Sequence, residues 1–142
     1  MHGVVGYSPG VFDLFHVGHL DLLRRAADRC DRLVAGVLTD ELAAELHGAR
    51  PIVPLIERME IVRNVRYVAE VVAVAEPGLR AAHASVGFAR LFTGTPDGPA
   101  AEAAEAELAG TGAAVVAFAG LAETASAVLR GALESGPRTS VA

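Results

Sequence analysis

Short apolar runs and stretches with helical apolar spacing alternate along the chain. Gly3 to Tyr7 is an apolar run that leads into Ser8-Pro9-Gly10. Leu20, Leu22, Leu23, Ala26, Ala27 and Cys30 then follow at helical spacing. Arg32 to Thr39 reads as a buried parallel strand, and Asp40 to Leu46 as a short helix capped by Asp40. His47-Gly48-Ala49-Arg50-Pro51 is a loop. Pro54 opens a second amphipathic helix, with Ile56, Met59, Ile61 or Val62, and Val65 as its apolar positions and Arg58, Arg63 and Arg66 between them. Further on, strands are predicted at Val68–Ala75, Phe88–Thr93 and Gly112–Phe118. Helices are predicted at Leu79–Ser85, Ala100–Leu108 and Glu123–Leu133, and Gly94-Thr95-Pro96-Asp97-Gly98 is a turn-rich loop.

Strands alternating with helices imply an α/β fold: a Rossmann-like, doubly wound parallel sheet of five strands with helices on both faces. The first strand is expected at the centre, with the loop after it beside the topological switch point. No repeat is visible, and residues 1–134 read as one domain followed by a tail, 135–142, expected to fray.

The decapeptide Gly10-Val11-Phe12-Asp13-Leu14-Phe15-His16-Val17-Gly18-His19 falls where the first strand gives way to the first helix. His16 and His19 are three apart, so in a first helical turn their imidazoles share one face, beside unpaired amides and the positive end of the helix dipole. That is the setting of a phosphate site. Gly18 has no side chain to keep a ligand from the backbone. Asp13 is open to three roles: capping the helix, binding a metal, or orienting a histidine. Two neighbouring histidines are also compatible with packing or metal ligation.

The run G-x-F-D-L-x-H-x-G-H resembles the HxGH signature of the nucleotidyltransferase superfamily, and most nearly the cytidylyltransferases of the glycerol-3-phosphate type. The resemblance implies that His16 and His19 contact the triphosphate and stabilise charge at the α-phosphate, with Gly10, Val11, Phe12 and Gly18 lining the nucleotide site. The ER-x-x-I and R-Y-V patterns of Pro54 to Val72 are similar to the family's second region and imply roles near the site for Arg58 and Arg66. Arg50 is the one cation in the loop that carries basic residues in the family. After the fourth strand the family reads G-D-D or G-S-D, whereas this chain has Gly94-Thr95-Pro96-Asp97, with Asp97 one place late. The family's R-T-x-G-I-S-T-T is Phe118-Ala119-Gly120-Leu121-Ala122-Glu123-Thr124 here. The arginine and most hydroxyls are gone, and Thr124 remains. Val11 likewise stands where the family has a threonine.

Composition narrows the partners. The 142 residues are 52% hydrophobic with a formal charge of -5, and no basic run or aromatic platform is present, which argues against nucleic acid. The apolar runs are too short for a membrane span. Cys30 is the single cysteine, which excludes an intrachain disulfide and suits a cytoplasmic location. All 12 cationic residues are arginine, so cationic contacts to a triphosphate must come from guanidinium groups. The expected partners are CTP or another nucleoside triphosphate, Mg²⁺ bound with it, a small phosphorylated alcohol, and a second copy of the chain in a homodimer. Three readings follow: a cytidylyltransferase, an adenylyltransferase of the same superfamily, or a catalytically impaired nucleotide-binding or assembly protein.

Overall fold

A computed structural model describes residues 3–96 and 98–123. The elements in chain order are β1 (Val5–Gly10), α1 (Val17–Ala27), β2 (Arg32–Leu38), α2 (Asp40–His47), α3 (Leu55–Arg63), β3 (Glu70–Val74), α4 (Leu79–Val86), β4 (Arg90–Thr93), α5 (Ala101–Glu107) and β5 (Ala114–Ala117). All strand pairs are parallel, in the order β3-β2-β1-β4-β5. β1 is therefore central, as the alternation predicts, and the chain reverses direction across the sheet on either side of it. That switch point lies at the carboxyl end of β1, where α/β folds leave a crevice.

Alternation along β2 sets the two layers. Leu33, Ala35 and Val37 face α1 and α3 in a core with Phe12, Leu23, Ala26, Val62 and Phe92. Val34 faces the opposite side, where Tyr7, Phe88, Leu91, Ala104 and Leu108 pack with Leu79 and Ala82 of α4. A smaller group, Val11, Leu38, Leu42 and Ala43, seats α2 at the carboxyl edge of the sheet.

Several local expectations shift. β1 continues through Ser8, Pro9 and Gly10 instead of ending at Tyr7. A proline has no N–H for a ladder, which argues against a central strand. Val4 O accepts from Arg32 N on the β2 side and Val5 O accepts from Ala89 N on the β4 side. By alternation Pro9 faces β4, whose pairing with β1 stops at Tyr7↔Leu91, so no ladder bond is lost. α2 is capped by Thr39, whose hydroxyl accepts from Leu42 N at 3.1 Å, and not by Asp40. In α3 the inward positions are Leu55, Arg58, Met59 and Val62, while Ile56 and Ile61 are exposed. Met59, Val62 and Val65 pack inward as the spacing predicts, whereas Ile56 points outward and the buried Arg58 shares the inner face with Leu55. The predicted helix from Glu123 and the tail lie almost wholly outside the described residues.

Candidate active site

After Gly10 the chain turns sharply. Phe12 and Leu14 adopt left-handed backbone conformations, φ 55° and 48°, which non-glycine residues visit only at a cost. Phe12 is buried at 2% exposure, so packing of its ring holds the turn. It leans on Phe15 and His19, with ring centroids 6.3 and 5.4 Å apart.

His16 is the N-cap of α1 and His19 is its third residue. Their rings stack at 3.9 Å with 27° between planes. His16 Nδ1 accepts from Gly18 N at 3.0 Å, and His19 Nδ1 accepts from His16 N at 3.2 Å, a capping box made of two imidazoles. A neutral imidazole that accepts at Nδ1 carries its hydrogen on Nε2. The Gly18 amide, one of the first-turn amides expected to meet a phosphate directly, is thus taken up by His16. A side chain on Gly18 would collide with His16 and come within 2.9 Å of Ala122 O, so glycine is required there by close approach.

Asp13 does not cap α1, whose N-cap is His16. Its two carboxylate oxygens accept from Ile52 N and Val53 N, each at 2.9 Å, which ties the loop before α3 to the histidine loop. Under both lies Arg58, 1% exposed. Its Nε donates to Val53 O at 2.7 Å, and one terminal nitrogen donates to Val11 O at 2.7 Å and Leu38 O at 2.8 Å. The other terminal nitrogen donates to Asp40 Oδ1 at 2.6 Å. The Arg58 guanidinium, followed by the Leu55 amide, overcomes burial and holds the Asp40 carboxyl below its ordinary value. Arg58 joins the ends of β1 and β2 to the loop before α3. Its expected phosphate contact is corrected: every nitrogen is already committed to protein oxygens.

A second clasp was not anticipated from the sequence. Asp21 on α1, 9% exposed, accepts from Arg24, Arg25 and the amide of Ala122, while Arg25 donates to Ala119 O and Gly120 O. Burial pushes the Asp21 carboxyl up, but the Ala122 amide and the two guanidinium groups outweigh it and hold the carboxyl low. The loop after β5 is thereby bound beside Gly18, and Gly94 at the end of β4 would put a Cβ 2.7 Å from Phe118 O. An acidic residue between Leu20 and Leu22, with arginines three and four positions on, was the available signal.

The remaining predicted residues divide by sheet edge. Gly10, Val11, Phe12, Gly18 and Gly94 gather at the carboxyl edge with both histidines. Arg50 is there too, exposed and 3.7 Å from both Asp40 and Glu41. Arg66 is not. It lies between α3 and β3, where Ala69 N meets Leu33 O at the start of β2, and its guanidinium sits over the Tyr67 ring at 5.3 Å. In a parallel sheet that is the amino edge, opposite the histidines, so the expected role of Arg66 at this site is corrected. Asp97 and Thr124 lie outside the described residues. Among the described residues no group of three or more His, Cys, Asp or Glu side chains could hold a metal ion. No described helix is long and apolar enough to cross a membrane.

The sheet, its central strand and the paired histidines at the switch point together define a doubly wound α/β protein with its candidate site at the carboxyl edge. Residues 7–97 match the cytidylyltransferase-like family, and the chain belongs to that family. The chain is 46% identical over 67 residues to an ethanolamine-phosphate cytidylyltransferase of Arabidopsis thaliana, covering 46% of this chain and 16% of that protein. It is 42% identical over 74 residues to a phosphopantetheine adenylyltransferase of Acidiphilium cryptum, covering 52% of this chain and 37% of that protein. The chain thus spans less than half the length of these curated relatives. Its fold is similar to the crystal structure of a lipopolysaccharide core biosynthesis protein from Thermoplasma volcanium, with a TM-score of 0.72 and 20% identity over 87% of this chain and 99% of that one.

Proposed function

We propose that this chain is a nucleotidyltransferase that moves CMP from CTP onto a phosphate oxygen of a small phosphorylated alcohol. The acceptor oxygen forms a bond to the α-phosphorus, the bond from that phosphorus to the bridging oxygen of the β-phosphate breaks, and pyrophosphate leaves. No protein nucleophile is required; the work is positioning and stabilisation of charge on the α-phosphate. The observation that carries the reading is the stacked pair of imidazoles at the start of α1, each accepting a backbone amide at Nδ1.

Mg²⁺ would enter with the triphosphate and neutralise part of its charge. Among the described residues no group of three or more His, Cys, Asp or Glu side chains could hold a metal ion, which supports a metal held mainly by phosphate oxygens. Arg50 is an exposed cation at this edge, and its long ion pairs to Asp40 and Glu41 are ones a phosphate could replace. ATP in place of CTP is the second reading, favoured by the similarity to the adenylyltransferase relative.

Pyrophosphate release from each nucleoside triphosphate, with a panel of phosphoalcohols, tests both readings. Release is expected with CTP and should fall on the order of 10²-fold or more in His16→Ala and in His19→Ala, as for loss of one transition-state contact. Normal turnover in either variant would remove that histidine from the mechanism.

A further inference from the structure

On the face of the sheet opposite α1, a cavity of about 480 Å³ opens at the carboxyl edge. Its walls are Leu38, Leu42, Leu46, Val74, Ala82 and Ala103, contributed by β2, α2, β3, α4 and α5. Pro9 and Gly10 of β1 form one margin, and the histidine loop departs directly from Gly10. The cavity and the paired imidazoles therefore flank the same strand end from opposite faces. Such a volume is within the range of pockets that enclose a small organic molecule.

The lining separates candidate ligands by charge. Besides Tyr7, its ionisable side chains are His47, Glu76 and Glu107, with no arginine among the described residues. A phosphate inside would lose water and face two carboxylates without a guanidinium, a costly arrangement. A neutral apolar group would lose nothing and gain contact with the walls. Leu46 is 53% exposed and belongs to this lining, so apolar surface is left open at the mouth.

The floor adds a polar feature. Tyr7 is 1% exposed, stacks on Phe88 at 4.9 Å and lines the cavity. It pairs with Val34, yet a Cβ on Gly36, two residues nearer the carboxyl edge, would be 2.2 Å from its hydroxyl oxygen. The phenol thus leans along β2 toward the cavity, over a position kept bare by glycine. No described residue hydrogen-bonds that hydroxyl. Burial pushes the phenol up to about 12, so it stays a neutral O–H that can both donate and accept.

We propose that this cavity receives the uncharged, mainly apolar body of the acceptor, over the Tyr7 hydroxyl, while the acceptor's phosphate stays outside near the histidine loop. This rests on the nucleotidyl-transfer reading and narrows its substrate class. The acceptor is a phosphomonoester with an apolar body, not a fully hydroxylated one such as glycerol 3-phosphate.

The test is calorimetric titration of the full chain with n-hexyl phosphate and with glycerol 3-phosphate, followed also by tyrosine fluorescence. The chain has two tyrosines and no tryptophan, and Tyr67 lies at the far edge of the sheet, so the signal change should come from Tyr7. Hexyl phosphate is expected to bind at least tenfold more tightly, with a fluorescence change that is lost in Tyr7→Phe. Ala82→Phe, which fills the cavity, and Leu46→Glu, at the exposed mouth, should each bring the affinity ratio close to one. Equal affinities in the native chain, a ratio that survives both substitutions, or a fluorescence change that survives Tyr7→Phe would overturn the proposal. CTP and ATP titrations of the native chain are read separately. Nucleotide binding with preference for glycerol 3-phosphate sinks the cavity assignment alone, whereas selective hexyl phosphate binding without nucleotide binding sinks the transfer reading.

Discussion

Arg58 shows how one side chain supports a site that it does not enter. Four oxygens from three segments converge on its guanidinium, and its side chain is fully buried beside an Asp40 side chain that is 20% exposed. Removing it leaves a carboxylate and three carbonyls without their donor. Arg58→Met is therefore expected to destabilise the fold by about 3–5 kcal/mol, the usual cost of breaking a buried pair from one side. Arg58→Lys should recover only part of this, because an ammonium cannot span the fork. Urea unfolding of the three proteins measures it, and a loss under 1 kcal/mol in Arg58→Met would contradict the role given to those hydrogen bonds. His16 and His19 differ from Arg58 in this respect: their alanine variants should lose pyrophosphate release first, with the cost of the lost cap about 1 kcal/mol.

Among the elements, α1 and the loop after β5 behave as one unit through Asp21. The folded carboxyls of Asp21 and Asp40 both lie below their unfolded value of about 3.9. Each therefore contributes stability that is present in full above that value and is lost as pH falls through the lower folded value. Unfolding free energy should be insensitive to these two groups from neutrality to about pH 4 and should decline below it. Asp21→Asn should flatten the acid limb, and an unchanged limb would show that the clasp to Ala122 carries no linkage. Glu123 of the same loop is an exposed carboxylate where the family's motif has hydroxyls. Glu123→Thr is expected to tighten triphosphate binding, with a gain that shrinks as salt rises. Calorimetry at low and high ionic strength checks this, and a gain independent of salt would rule out repulsion as its cause.

For the molecule as a whole, apolar side chains remain uncovered around the histidine loop. Val17 is 48% exposed, Ile52 73% and Ile56 82%, and the Asp13 bond to Ile52 N brings the second of these beside the loop. We propose that a second copy of the chain covers them in a homodimer, since cyclic pairs are the commonest closed assembly. Sedimentation at micromolar concentration should give twice the chain mass, and Ile56→Glu should give a monomer. A monomeric native chain would end the proposal.

The order of strands and helices, the central place of β1 and the position of the histidine pair were legible in the residues. Hydrophobic period is a local property, and a strand-loop-helix junction is set by neighbours in sequence. What only tertiary structure decided is which polar side chains turn inward. Arg58, expected near the site as a phosphate contact, became a core residue because three backbone segments end at one point and leave their carbonyls to be satisfied. Asp13 became a tie to Ile52 and Val53, partners 39 and 40 residues away. Arg66 moved to the opposite edge because α3 carries the chain down the full length of the sheet before β3 begins. The cavity over Tyr7 exists only where β1, β2, β3, α2, α4 and α5 meet, since its shape depends on distances between elements that no spacing within one of them encodes.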